Sequence, residues 1–299
     1  MSRQVQGYLY LALAMLTVGS TVIASKLIAS GLPPFSATAL RFAIAFPVFL
    51  VLMRATEARL PKLSRHDGLI LIIQAGAGSV GYTTLLISGL SLTSAADAGV
   101  IIGTLPVVSA AISILLLGER PQRGLLFAVA LATAGVLSIA FSPEAAGGSL
   151  SGNALIFLAV VCEGLFILLN KRLKTEIAPL AQSTLMTGIG FLVAGIPAIF
   201  EASPAQGMSG SAVAAVVYYA LVPTVGGFLL WYAGAERVSG TEAALFTALA
   251  PVSAVMLAFI ILGEPVGLNQ IAGIACVLAA VLGLALAGRR AAMKATSGG

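Results

Sequence analysis

The chain has 299 residues, of which 59% are hydrophobic and 9% charged, against roughly 25% charged in soluble domains. No soluble core accounts for that much apolar length. The net charge of +5 does not point to nucleic acid, because the basic residues fall almost entirely in short loops and tails, where membrane topology explains them.

Apolar runs of about 20 residues, the length that crosses a bilayer, recur along the chain. They predict an all-α polytopic membrane protein with ten transmembrane helices, over residues 7–28, 34–53, 68–88, 95–117, 124–141, 152–170, 179–199, 212–233, 242–262 and 268–288. In hydrocarbon the backbone must satisfy its own polar groups, so glycines and prolines inside these runs do not cancel them. The first run begins after Arg3 and ends in small residues near Ser25, much as a secretion signal does. Its length, the Lys26 that follows and its place in an internal repeat predict a retained helix instead. Arg54–Asp67 is the longest connection and reads as a wet surface loop. Gly147–Gly152 joins two halves, with boundaries expected at 1–146 and 147–299.

Those halves are related. Gly89, Ser94, Asp97, Pro106, Gly118 and Glu119 return 145 positions later as Gly234, Ser239, Glu242, Pro251, Gly263 and Glu264, and Lys26 returns as Lys171. A fixed period over half the chain signals two copies of one unit. With the N-terminus inside, 14 of the 16 lysines and arginines fall in inside segments, and only Lys26 and Arg41 do not. That asymmetry predicts a multi-pass membrane protein with both termini cytoplasmic. Five spans per half is odd, so the second copy enters from the opposite face. Inverted repeats of this kind suit a carrier with two alternative openings, although a channel can carry one as well.

The pattern Pro34 then Arg41-Phe42, the stretch from Leu105-Pro106 to Leu117-Gly118-Glu119-Arg120, and the set Ala250-Pro251-Val252, Leu262-Gly263-Glu264-Pro265, Gln270 and Gly273 together resemble the drug/metabolite transporter superfamily. Within it the chain resembles the bacterial EamA-type exporters of ten helices, over nearly its whole length. The resemblance implies export of amino acids, aromatic ones among them, or of other metabolites and toxic organic cations. It also implies a central cavity enclosed by spans 1–4 and 6–9, with 5 and 10 peripheral. One departure stands out: members often carry tryptophan before a small residue in the first span, and here the pair is Val18-Gly19.

The charged residues inside the spans carry the candidate chemistry. Arg41 lies some 10 Å into the second span at about 1.5 Å per residue. An unpaired arginine facing lipid there is costly, so it should face protein or water, as a structural clamp or as a contact for substrate carboxylates. Glu163 is the deepest acidic residue. It either binds an ammonium group, carries a proton or holds a helix contact. Lys26 sits near the outer end of its span and either snorkels or contacts substrate at the cavity mouth. Tyr82 lies mid-membrane, where its hydroxyl needs a partner, and a cavity wall is one reading.

Ser94 with Asp97, and Ser239 with Glu242, fit a serine–acid capping pattern at a helix start; Asp97 also stands as a cavity-mouth contact. Glu119 and Glu264 close their helices, where an acid is unfavourable in isolation, so they are expected to anchor corners by accepting hydrogen bonds from a neighbouring element. Pro106 and Pro251 interrupt the helical ladder and permit a bend that serves gating or merely curves a wall. Tyr218, Tyr219, Trp231 and Tyr232 read as interfacial belts. Gly188 and Gly190 allow close helix approach.

Cys162 and Cys276 lie in apolar runs, which argues against a disulfide framework, and the single histidine, His66, cannot assemble a metal site. No cofactor is expected. The chain lacks the phosphate-binding form GxxxxGK[ST], which disfavours ATP-driven pumping. The reading is therefore a secondary exporter of small amphiphilic metabolites working by alternating access, with Arg41 and Glu163 at the charged ends of the substrate and a coupling proton or ion left open. A facilitative uniporter or channel-like protein is the alternative. A membrane enzyme would want clustered acids or histidines at one water interface, and a receptor would want a signalling domain.

Overall fold

The computed structural model describes residues 3–117, 127, 130–135, 149–170, 172–201, 208–238, 246–247, 249–280 and 283. Among the described residues the structure is helical. The elements are α1 (Arg3–Ala29), α2 (Pro34–Ala55), α3 (Arg65–Gln74), α4 (Tyr82–Leu90), α5 (Ala95–Ile102), α6 (Leu105–Leu117), α7 (Leu150–Asn170), α8 (Pro179–Ala198), α9 (Gly210–Tyr219), α10 (Gly227–Ala235), α11 (Leu249–Leu262) and α12 (Leu268–Ala280).

Six stretches among the described residues are long and apolar enough to cross a membrane: α1, α2, Arg65–Leu90, α7, α8 and Gly210–Ala235. The fourth expected span is two short helices, α5 and α6, and the ninth and tenth hold the shorter α11 and α12. Large apolar side chains such as Val51, Leu69, Leu192, Ile196, Phe259 and Ile260 are exposed. Water makes no sense of them, and lipid does.

The period seen in the residues reappears in the backbone. Helices begin at Pro34 and Pro179, at Arg65 and Gly210, and at Tyr82 and Gly227. The two copies interlock rather than sit side by side. Helix α2 packs on its own repeat mate α8; α1 packs on α11, as its mate α7 packs on α6; and α1 packs on α10, as α7 packs on α4.

Small residues make those crossings close. A Cβ on Gly190 would lie 2.8 Å from the Phe42 ring, and one on Gly188 would lie 2.9 Å from Phe46. At the α1–α11 crossing a Cβ on Gly19 would fall 1.9 Å from Ser253 Oγ and 2.8 Å from both Ala250 O and Ala254 N. The residue that follows the missing tryptophan therefore serves backbone approach.

Two departures from regular helix were not expected. Residues Ala75–Gly81 and Ala220–Gly226 are π-helical, again 145 positions apart. In the second the cause is local. Pro223 has no N–H to donate to the Tyr219 carbonyl four residues back, and the Thr224 hydroxyl donates to that oxygen instead at 2.8 Å. The first is the sequence AGAGSVG, whose glycines tolerate the wider turn. Turns of this type recur at functional sites.

The bend expected at Pro106 is a break. Helix α5 stops at Ile102, whose carbonyl Pro106 cannot serve, and α6 restarts at Leu105. The break is packed against the other copy: a Cβ on Gly103 would meet Pro251 Cβ at 2.9 Å.

Candidate functional site

A cavity of about 590 Å³ lies between the two copies, a size in the range of small-molecule sites. The first copy brings Arg41 to it from α2 and Tyr82 from the first turn of α4. The second brings Glu163 from α7 and Tyr219 from the end of α9. Pro106 and Pro251 line it too. The lining runs out to Asn170 and Pro179, both exposed, so the cavity reaches the surface at the α7–α8 end of the bundle. Each π segment delivers wall residues: Ser79 from one, Pro223 and Thr224 from the other.

Arg41 is 8% exposed. Its guanidinium carbon sits 4.3 Å from the centroid of the Phe42 ring and 4.5 Å from that of Tyr219. Cation–π contact supports the charge without a carboxylate. Among the described residues Arg41 makes no ion pair, and its buried Nε has no hydrogen-bond partner. Glu163 faces the same cavity, close enough to interact electrostatically with Arg41 but not in an ion pair with it. A guanidinium and a carboxyl group from opposite copies thus border a single chamber without pairing with each other. The walls between them are aromatic and apolar, with Tyr82, Phe166, Phe228 and Trp231 among them.

The structure does not bring Lys26 or Asp97 to this cavity, so neither takes the cavity-mouth role that stood for each beside a structural one. Lys26 Nζ donates to Leu90 O at 2.8 Å and to Thr93 O at 2.6 Å. The carbonyls at the end of α4 have no helical partner, and an ammonium is a good match for them. Asp97 is 1% exposed; its N–H donates to Ser94 Oγ at 3.0 Å, and its Oδ1 accepts from Gln270 Nε2 at 2.9 Å. Ser94 is accordingly the N-cap of α5.

Glu264 accepts from the N–H groups of Ala95 and Ala96, one per oxygen, at 3.1 and 3.0 Å. A carboxylate from the second copy thereby caps a helix of the first. Glu201 does the same for α2, accepting from the N–H groups of Phe35 and Ser36 at 2.9 and 2.7 Å. Glu119, Ser239 and Glu242 lie outside the described residues.

The aromatic belt is also corrected. Tyr219 is 4% exposed and lines the cavity, as do Trp231 and Tyr232. Tyr218 stays at the surface edge, its hydroxyl donating to Ser20 Oγ at 2.8 Å. A signal for Tyr219 was present. It lies as far into the eighth expected span as Arg41 lies into the second, and the depth argument applies to both. Among the described residues no group of three or more histidine, cysteine or acidic side chains is arranged to hold a metal.

A family model described as the EamA-like transporter family matches residues 5–141 and again residues 150–286. The uncharacterized transporter YetK of Bacillus subtilis (strain 168) is 36% identical over 285 residues, covering 93% of this chain and 86% of the relative. A probable terminal-alkyne amino-acid exporter of Streptantibioticus cattleyicolor is 30% identical over 206 residues, 67% of each chain. A solved crystal structure, 21% identical, superposes with a TM-score of 0.64 over 97% of this chain and 98% of its own; that likeness concerns the fold.

Proposed function

The chain belongs to the EamA-like transporter family, and from that premise we propose that it exports amino acids by alternating access. It is a multi-pass bacterial inner-membrane transporter of small metabolites and not an enzyme. The observation that carries the amino-acid reading is the pair Arg41 and Glu163, one basic and one acidic side chain, on one cavity and in no ion pair. An α-amino acid offers a carboxylate and an ammonium together, which answers both charges at once. The aromatic lining suits an apolar side chain, aromatic ones included. One relative, a probable terminal-alkyne amino-acid exporter, agrees with that chemistry.

In this proposal ten helices form two inverted units with both termini in the cytoplasm, as the lysine and arginine distribution argues. The mouth at Asn170 and Pro179 is then cytoplasmic. Substrate binds from there, the break at Pro106 and the first turn of α11 at Pro251 act as hinges, and the opposite end opens. Glu201 and Glu264 hold that opposite end shut in the present state by capping α2 and α5.

The test is efflux from sealed vesicles against a panel of amino acids and organic cations, with and without a pH gradient. Arg41→Leu and Glu163→Gln are expected to lower amino-acid transport at least tenfold while the protein still inserts. Normal transport by both variants would remove the site from this cavity. Transport of organic cations alone would replace amino acids as the substrate class.

A further inference from the structure

We infer that Tyr219 is the positioning residue for Arg41 and sets the preference for a zwitterion over the corresponding amine. The inference rests on the amino-acid reading above and adds the element that gives Arg41 its selectivity.

Phe42 neighbours Arg41 on the same helix and moves with it. Tyr219 comes from the other copy, and its ring lies 4.5 Å from the guanidinium. It therefore ties the cation across the interface between the two units. Ring faces stabilise a guanidinium through its charge, whereas a carboxylate takes its N–H donors. Those donors lie in the guanidinium plane and form the fork that grips a carboxylate in two places. Tyr219 holds Arg41 through its ring face and through a side-chain hydrogen bond to its hydroxyl, and the buried Nε, which has no partner, remains for a ligand.

The backbone fixes the ring in turn. Tyr219 is the last residue of α9, its carbonyl is left free by Pro223 and taken by the Thr224 hydroxyl. The π segment that follows begins at Ala220. Tyr219 is therefore set at a point where the helix changes its winding, and Thr224 and Pro223 line the same cavity.

The experiment uses the full chain in vesicles and measures inhibition of amino-acid transport by phenylalanine and by phenethylamine, which lacks the carboxylate. The readout is the ratio of the two inhibition constants. Tyr219→Phe keeps the ring, loses only the hydroxyl bond to Arg41, and is expected to keep most of the ratio. Tyr219→ring-fluorinated phenylalanine keeps the shape while withdrawing charge from the ring face, so the ratio should fall stepwise with each fluorine, by about tenfold across the series. Tyr219→Leu should abolish the preference. A ratio that stays constant across the fluorinated series, with the unsubstituted protein still preferring phenylalanine, overturns the role of Tyr219 and leaves the amino-acid reading intact. An unsubstituted protein that does not prefer phenylalanine to phenethylamine overturns both.

Discussion

Removing the Glu264 carboxylate should loosen the structure without touching the substrate. The side chain accepts one hydrogen bond per oxygen from two N–H groups at the first turn of α5, at 3.1 and 3.0 Å. Hydrogen bonds to a charged group are worth about 1.5–3 kcal/mol each, and the positive end of the helix adds about 0.3–1 kcal/mol. Glu264 is half-buried, so screening reduces the total, and Glu264→Ala is expected to cost about 2–3 kcal/mol. Glu264→Gln retains one acceptor oxygen but turns an NH2 group toward the second donor, so it should lose at least half as much. Thermal unfolding of the purified protein in detergent checks this. The apparent melting temperature should fall by several degrees for alanine and by less for glutamine, while the preference for an amino acid over its amine stays within about twofold, since Glu264 does not line the cavity. Unchanged unfolding in both variants would refute the capping argument, and a large loss of that preference with intact stability would move Glu264 into the substrate path.

Two further predictions follow from contacts of the same kind. Lys26→Met should lower the melting temperature, because the carbonyls of Leu90 and Thr93 lose their donor, and should leave the ratio of amino-acid to amine inhibition unchanged; a changed ratio would return Lys26 to the substrate. Gly19→Ala should destabilise by about 1–3 kcal/mol through overpacking, and Ser253→Ala in the same chain should recover only part of that. The serine oxygen is the nearest obstacle at 1.9 Å, but Ala250 O and Ala254 N remain at 2.8 Å. Full recovery in the double variant, read by thermal unfolding, would contradict the backbone contact.

The parts of this fold that depend on pattern were legible from residues alone. The prolines at 34 and 179 start helices because proline is tolerated in a first turn, and apolar length predicts spans wherever a whole helix faces lipid or a partner. That Arg41 and Glu163 face protein or a cavity and not lipid was legible because an ionisable group at depth has few acceptable surroundings. Lys26 and Asp97 show the limit of that reasoning. Each has the depth and charge of a substrate contact, and each is spent on a long-range partner, Leu90 and Thr93 for one and Gln270 for the other. Sequence spacing does not reveal which distant backbone ends nearby. The π segments were hidden for a different reason: a glycine-rich run and a proline permit them, and permit a simple kink as readily. Tyr219 was misread as part of a belt because aromatic residues near a helix end suit an interface as well as a cavity wall.

The account stands or falls on Arg41 and Glu163 each serving one end of the same ligand. The measurement is inhibition of transport by three compounds that share a side chain: an amino acid, its decarboxylated amine and its deaminated acid, against the unsubstituted protein, Arg41→Leu and Glu163→Gln. The account predicts that the unsubstituted protein prefers the amino acid to both, that Arg41→Leu ceases to distinguish it from the amine, and that Glu163→Gln ceases to distinguish it from the acid. Retention of both preferences by both variants, or their loss in the opposite pairing, would contradict it.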